Sequence, residues 1–229
     1  MKKTVLALAS AFTIFATTLV KAQDMPFGFG IKGGGINSVI TGLEEAKKPF
    51  GGSETGLLNA GGQVGLFGEY AFHENVGVGL EALYALQGGS FTKKGDKNKS
   101  YGISIHQVNI IPLLRIYPMG REEDEDILSL HLGPDFVIPF IGSAQEKGQK
   151  AQDIKADLNA FGVGILGGVS YEFAFGLQTE LRGSYGFMDV FKEDSNFKTQ
   201  TLGIAKDKAT NSWYTSFNLG YNFARLMMD

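Results

Sequence analysis

"WYTSFNLGYNF", residues 213–223, decides the fold. Trp213, Thr215, Phe217, Leu219, Tyr221 and Phe223 alternate with Tyr214, Ser216, Asn218, Gly220 and Asn222. A period of two sends successive side chains to opposite faces of an extended strand, so this stretch has one largely apolar face and one small or polar face. It is also too long for an ordinary soluble strand of about five or six residues, and long enough for a tilted strand that crosses a bilayer, which needs about 9 to 11.

The same rhythm recurs upstream. Leu177, Thr179, Leu181, Gly183, Tyr185 and Phe187 oppose Gln178, Glu180, Arg182, Ser184 and Gly186, and Val76, Val78, Leu80, Ala82, Tyr84 and Leu86 face away from Gly77, Gly79, Glu81 and Gln87. Phe161, Val163, Ile165, Val169, Tyr171 and Phe173 make a further set against Gly162, Gly164, Gly168, Ser170 and Glu172. The complete reading gives eight strands, near 26–38, 61–72, 76–88, 103–117, 128–141, 158–173, 177–190 and 211–224. Long connections (39–60, 89–102, 142–157, 191–210) alternate with shorter ones at His73–Asn75, Pro118–Ile127 and Ala174–Gly176. This is the arrangement of an all-β, eight-stranded antiparallel up-and-down transmembrane β-barrel, with long loops outside and both termini in the periplasm.

A soluble lipocalin-like barrel has the same period with its apolar face turned inward. It would carry a well-charged exterior, about a quarter to a third Lys, Arg, Glu and Asp. Here the polar faces are mostly Gly, Ala, Ser, Asn and Gln with isolated charges, which fits a packed lumen, and the apolar faces carry none. Aromatic residues fall at both strand ends: Tyr70, Phe72, Tyr117, Tyr171, Phe173, Tyr221 and Phe223 toward the short turns, and Phe140, Phe161, Tyr185, Phe187 and Trp213 toward the long loops. Two interfacial girdles are expected there.

The first 22 residues read as a secretory leader: Lys2 and Lys3, an apolar run to Val20, then Val20-Lys21-Ala22 as a cleavage pattern. An uncleaved anchor is the alternative, weakened by Ser10, Thr13, Thr17 and Thr18 within a short run. The expected organisation is therefore 1–22 signal peptide and 23–229 barrel, exported to the bacterial outer membrane. Loss of Lys2, Lys3 and Lys21 lowers the basic count from 21 to 18 against 24 acidic residues, a net charge of −6 that argues against nucleic-acid binding. There is no cysteine, which excludes disulfides, thiolate metal sites and thiol catalysis.

"GFGIKGGG", residues 28–35, matches a dinucleotide-binding G-x-G-x-x-G through Gly28, Gly30 and Gly33. That fingerprint needs a buried strand before it and a helix behind it. Alternation instead puts Phe27, Phe29 and Ile31 toward lipid and Gly28, Gly30 and Lys32 toward the lumen, so the glycines are barrel wall.

"GIKGGGIN", "GLEALYALQGG", "NIIPLLRIYP" and "NLGYNFAR" resemble segments of the PorT-type outer-membrane β-barrel proteins of Bacteroidetes-like bacteria, over nearly the whole mature chain. The resemblance implies an eight-stranded outer-membrane barrel, and its founding member has a link to protein secretion. One departure is that many outer-membrane proteins end on an aromatic residue, whereas this chain runs past Phe223 through Ala224-Arg225-Leu226-Met227-Met228-Asp229.

Luminal faces place Lys32, Arg115 and Arg182 in one interior with Glu69, Glu81, Asp135, Glu172 and Glu180. Charges of both signs in a confined lumen should pair and form a plug. Ser129, His131 and Asp135 also point inward, but at the strand rise Asp135 lies roughly 13 Å from His131, too far for a Ser-His-Asp relay. No zinc-helix, P-loop or nucleophile-elbow motif occurs, so no cofactor and no catalytic site are expected. "KKGDKNK" at 93–99 is basic and would lie outside, where lipopolysaccharide phosphates could meet Lys93, Lys94, Lys97 and Lys99; "EEDED" at 122–126 is acidic and periplasmic, and 144–157 reads as a mobile polar loop. The functional expectation is a small closed barrel, monomeric, in contact with outer-membrane lipid and lipopolysaccharide, with a structural role or a protein partner at its extracellular loops. A narrow channel or transporter for small solutes is the alternative, and a membrane enzyme is a third reading.

Overall fold

The computed structural model describes residues 27–40, 60–92, 100–122, 125–146, 148–201 and 205–227. The leader, the basic 93–99 segment and most of the first long loop lie outside the described residues. Eight long strands form the wall: β1 (Phe27–Ile40), β2 (Ala60–His73), β3 (Val76–Thr92), β4 (Ser100–Ile116), β5 (Ile127–Glu146), β7 (Gly162–Glu172), β8 (Leu177–Gly186) and β9 (Ser212–Asn222), with a two-residue β6 (Gln152–Asp153) outside the ring. Each wall strand pairs antiparallel with its sequence neighbour, β9 pairs with β1, and β4 with β5, so the sheet closes without an edge. Closure pairs each wall strand on both flanks over most of its length, as a bilayer with no water to offer requires.

Side-chain direction follows the alternation. Leu181 is 57% exposed, Phe217 55% and Ile165 43%, all on the outer face, while Glu81 and Arg182 are sealed inside. Outward aromatics touch in belts at each end: Phe27, Phe29, Tyr221 and Phe223 near the short turns, Tyr185 with Phe187 and Tyr84 with Phe140 near the long loops. Tyr117 is a correction to the girdle expected from sequence. It follows β4 on an inward step, is 1% exposed, and packs with Ala71 and Ile127 at the periplasmic end of the lumen.

Two further differences come from the interior. The lumen is not lined by small and polar residues alone, because Ile36, Leu83, Ala85, Ile111, Leu113, Leu166 and Tyr214 form an apolar cluster within it. Segment 144–157, read from composition as mobile, instead continues β5 to Glu146, pairs through β6, and enters a short 3-10 turn at Lys155–Asp157. Ile154 and Leu158 from this region join Phe191 and Phe197 of the last long loop against Ile40, Ile103, Ile105 and Ala144. The polar composition of the segment hides Ile154, which with Leu158 just beyond it caps the extracellular mouth.

A bulge explains how β5 reaches that cap. Its register against β4 shifts between His106 and Gln107, skipping Phe140, so that Phe140 and Ile141 both face outward. The inward set changes from odd residues (Ser129, His131, Asp135) to even ones (Gly142, Ala144).

Candidate functional site

The inward charges converge at mid-barrel. Glu81 on β3 accepts from Lys32 Nζ at 2.7 Å, from Arg182 Nη1 at 2.6 Å and from Arg115 Nη2 at 3.4 Å. In the strand order β3 and β8 are four places apart in a ring of eight, so the Arg182–Glu81 pair crosses the barrel's diameter. Lys32 Nζ also donates to Glu180 Oε2 at 2.8 Å, and Arg182 Nη1 lies 3.3 Å from Glu180 Oε1, joining two inward neighbours of one strand. Asn218 Nδ2 donates to Glu180 at 2.9 Å, and Gln63 Nε2 donates to Asn218 at 2.6 Å, extending the network to β2 and β9.

Glycine makes this crowding possible. A Cβ on Gly168 would lie 2.6 Å from both Arg182 Cβ and His131 Nε2, and one on Gly28 would lie 2.8 Å from Glu69 and Asn222. The G-x-G stretch is thus wall against which large partners pack, with a strand in place of the helix that a nucleotide would need.

Toward the periplasm, Arg115 Nη1 lies 3.1 Å from Glu69 Oε2, and Arg121 reaches Glu69 Oε1 at 3.4 Å. Glu172 is met at 2.7 Å by Arg225 Nε, from a 3-10 turn (Phe223–Met227) that folds the tail back under the barrel. Arg225 Nη2 also donates to the Glu125 carbonyl at 3.2 Å. Asp135 lies apart from the cations and accepts from Asn109 (2.7 Å), Ser184 (2.8 Å) and Tyr214 (2.8 Å).

Arg121 and Arg225 are the members that reading the strands missed. A signal existed in the charge count, since Lys32, Arg115 and Arg182 leave two of the five inward carboxylates unmatched. Because both arginines sit beyond strand ends, alternation could not assign them a face. With them, five cations accompany five inward carboxylates, four of which are ion-paired while Asp135 is held by neutral donors. Mutual pairing offsets part of the desolvation cost of burying these ions.

Ser129, His131 and Asp135 form no relay. Ser129 Oγ meets Ser170 Oγ at 2.7 Å and receives Arg115 Nη1 at 3.4 Å, Asp135 is occupied as above, and among the described residues neither ring nitrogen of the buried His131 has a hydrogen-bond partner. Its closest charged contact is Glu180 Oε2, 3.8 Å from Nε2. Among the described residues no group of three or more His, Asp or Glu is placed to hold a metal ion.

Outside the wall, Asp126, from the described part of the acidic segment, makes a further contact set. Asp126 accepts from the Tyr171 hydroxyl at 2.5 Å and from the Ala174 N–H at 2.8 Å, tying two periplasmic turns together. The Tyr171 hydroxyl, then the Ala174 N–H, hold the Asp126 carboxyl below its usual range.

Several solved structures are similar in fold at low sequence identity. Ail, the attachment invasion locus protein of Yersinia pestis, is 13% identical with a TM-score of 0.42, covering 87% of this chain and 100% of that one. Neisserial surface protein A is 11% identical with a TM-score of 0.44, covering 86% and 97%. OprG from Pseudomonas aeruginosa is 16% identical with a TM-score of 0.44, covering 86% and 94%. No curated protein is similar enough in sequence to count as a relative. Residues 21–192 match the family described as outer membrane protein beta-barrel domain, and with its closed ring of eight strands the chain belongs to that family of bacterial outer-membrane proteins.

Proposed function

We propose that the protein is a small closed barrel of the PorT type whose role is structural or interaction-based, exercised through its extracellular loops, after removal of residues 1–22 leaves 23–229 in the membrane. The single observation that carries this reading is the Arg182–Glu81 pair across the diameter, with Lys32, Arg115 and Glu180 bonded around it. A solute would have to break several buried ion pairs to pass, each broken pair leaving an uncompensated charge at a cost of about 3–5 kcal/mol. The apolar cap of Ile154, Leu158, Phe191 and Phe197 at one end and the Arg225 tail at the other lend further support.

In this reading the partners are outer-membrane lipid, lipopolysaccharide phosphates near the basic 93–99 segment, and a protein met by the long loops; nucleic acid is not a partner, the barrel acts as a monomer, and the buried charges do no catalysis. The test is single-channel recording of the refolded mature protein in a planar bilayer. No reproducible conductance is expected. Steps of constant size that vanish on unfolding would establish the alternative, a narrow channel or transporter for small solutes.

A further inference from the structure

The wall is interrupted on one side. The β5–β7 ladder ends at Val137–Gly162, and on that side β5 is next met at Gly142, whose carbonyl accepts from Ile154 N at 2.9 Å. Over the intervening residues, roughly 15 Å of strand, β5 keeps its β4 partner but has no strand on the other flank among the described residues. Pro139 lies within this stretch, and its carbonyl accepts from the Lys155 ammonium. Across the gap, Asn159 donates to the carbonyls of Asp189 (2.7 Å) and Phe191 (3.3 Å), so the chain entering β7 is tied to the last loop and held away from β5. Phe161, stacked on Phe136 at 6.1 Å, and Phe140 place the gap at the level of the outer aromatic girdle.

Behind the gap lies a cavity of about 50 Å³, above the ion-paired layer and below the cap. Its walls include Val137, Pro139 and Phe161 at the gap, Gln107, which pairs with Pro139 across β4 and β5, Ile105, and Gln87 on β3, two strands from β5. Gln87 is 7% exposed, and its Nε2 has no hydrogen-bond partner among the described residues. A buried amide donor left without an acceptor is costly unless water or a ligand supplies one. The volume holds a few waters, or the polar end of a small amphiphile whose tail lies along Phe161 and Pro139 toward lipid.

We propose that this cavity binds a small amphiphile with an apolar tail and a single hydrogen-bond-accepting head, taken from the outer leaflet through the β5–β7 gap, with Gln87 Nε2 donating to the head. The site is independent of the loop-based role above, and the sealed charge layer beneath makes it a binding site in a barrel that does not conduct.

The test uses the isotope-labelled mature protein in lipid nanodiscs, titrated with 2-octanone and, separately, with octane, which has the tail without the acceptor. The Gln87 side-chain amide and the backbone amides of Gly88 and Gly162 should shift saturably with the ketone, and the alkane should bind at least about fivefold more weakly, the worth of one hydrogen bond. Gln87→Leu should abolish that preference while Leu181→Ala, on the far outer wall, leaves it intact. Gly162→Val adds methyls beside Val137, whose Cβ is 3.5 Å from where a Cβ on Gly162 would stand, and should slow ligand exchange about tenfold. Equal response to ketone and alkane, or no shift at Gln87, overturns the site even if the Gln87 variant does not fold; an unchanged exchange rate in folded Gly162→Val overturns the lateral route.

Discussion

Arg182 Nη1 on β8 lies 2.6 Å from Glu81 Oε2 on β3, and because these strands stand opposite each other the pair is a strut across the barrel. Glu81 is 0% exposed and carries three cations. Glu81→Ala should therefore destabilise the barrel by about 3–5 kcal/mol, since it strands buried positive charge. Arg182→Met alone should cost a similar amount, and the double variant should cost less than the sum. Urea unfolding in lipid vesicles, followed by tryptophan fluorescence, measures all three; strict additivity would show that the strut carries no coupling.

The face assignment predicts an asymmetry between near neighbours in sequence. Leu181 points into lipid, so Leu181→Arg should cost about 2–4 kcal/mol if it sits near the midplane. Ser184 points inward and donates to Asp135, which keeps Asn109 and Tyr214 as donors, so Ser184→Ala should cost only about 0.5–1.5 kcal/mol. The reverse ranking in the same unfolding assay would invert the barrel.

Two glycines of β1 should respond in opposite ways. A Cβ on Gly30 would stand 1.8 Å from the Tyr221 carbonyl oxygen and 2.8 Å from the Phe67 ring, whereas one on Gly35 meets nothing within 4 Å. Gly30→Ala should lower stability by about 1–3 kcal/mol or prevent folding, and Gly35→Ala should be close to neutral. Heat-modifiable mobility on gels reports the folded fraction of each.

The periplasmic contact at Asp126 should depend on pH. Its carboxyl titrates below the usual aspartate value in the folded state, so the contact is fully present above about pH 4 and is lost as pH falls through the lowered folded value. Amide exchange at Ala174, corrected for intrinsic rate, should accelerate over that acidic window, and Asp126→Ala should show the fast rate at every pH. A pH-independent Ala174 amide in the parent protein would remove the contact.

The sequence by itself determined the strand number, the antiparallel order and which face of each strand meets lipid, because a period of two repeated over bilayer-length segments has few physical solutions once export and uncharged apolar faces are added. It also placed Lys32, Glu81, Glu180 and Arg182 in one interior, since alternation fixes direction. Only tertiary closure decided who meets whom: β8 is brought opposite β3 by pairings spread around the whole ring, and no local pattern encodes that distance. For the same reason Arg121, Arg225 and the cap of Ile154 and Leu158 escaped the reading, because each lies in a turn, tail or loop where the strand period no longer applies and packing alone sets direction, whereas the inward Tyr117 keeps the alternation of Arg115 and was misplaced on its aromatic character.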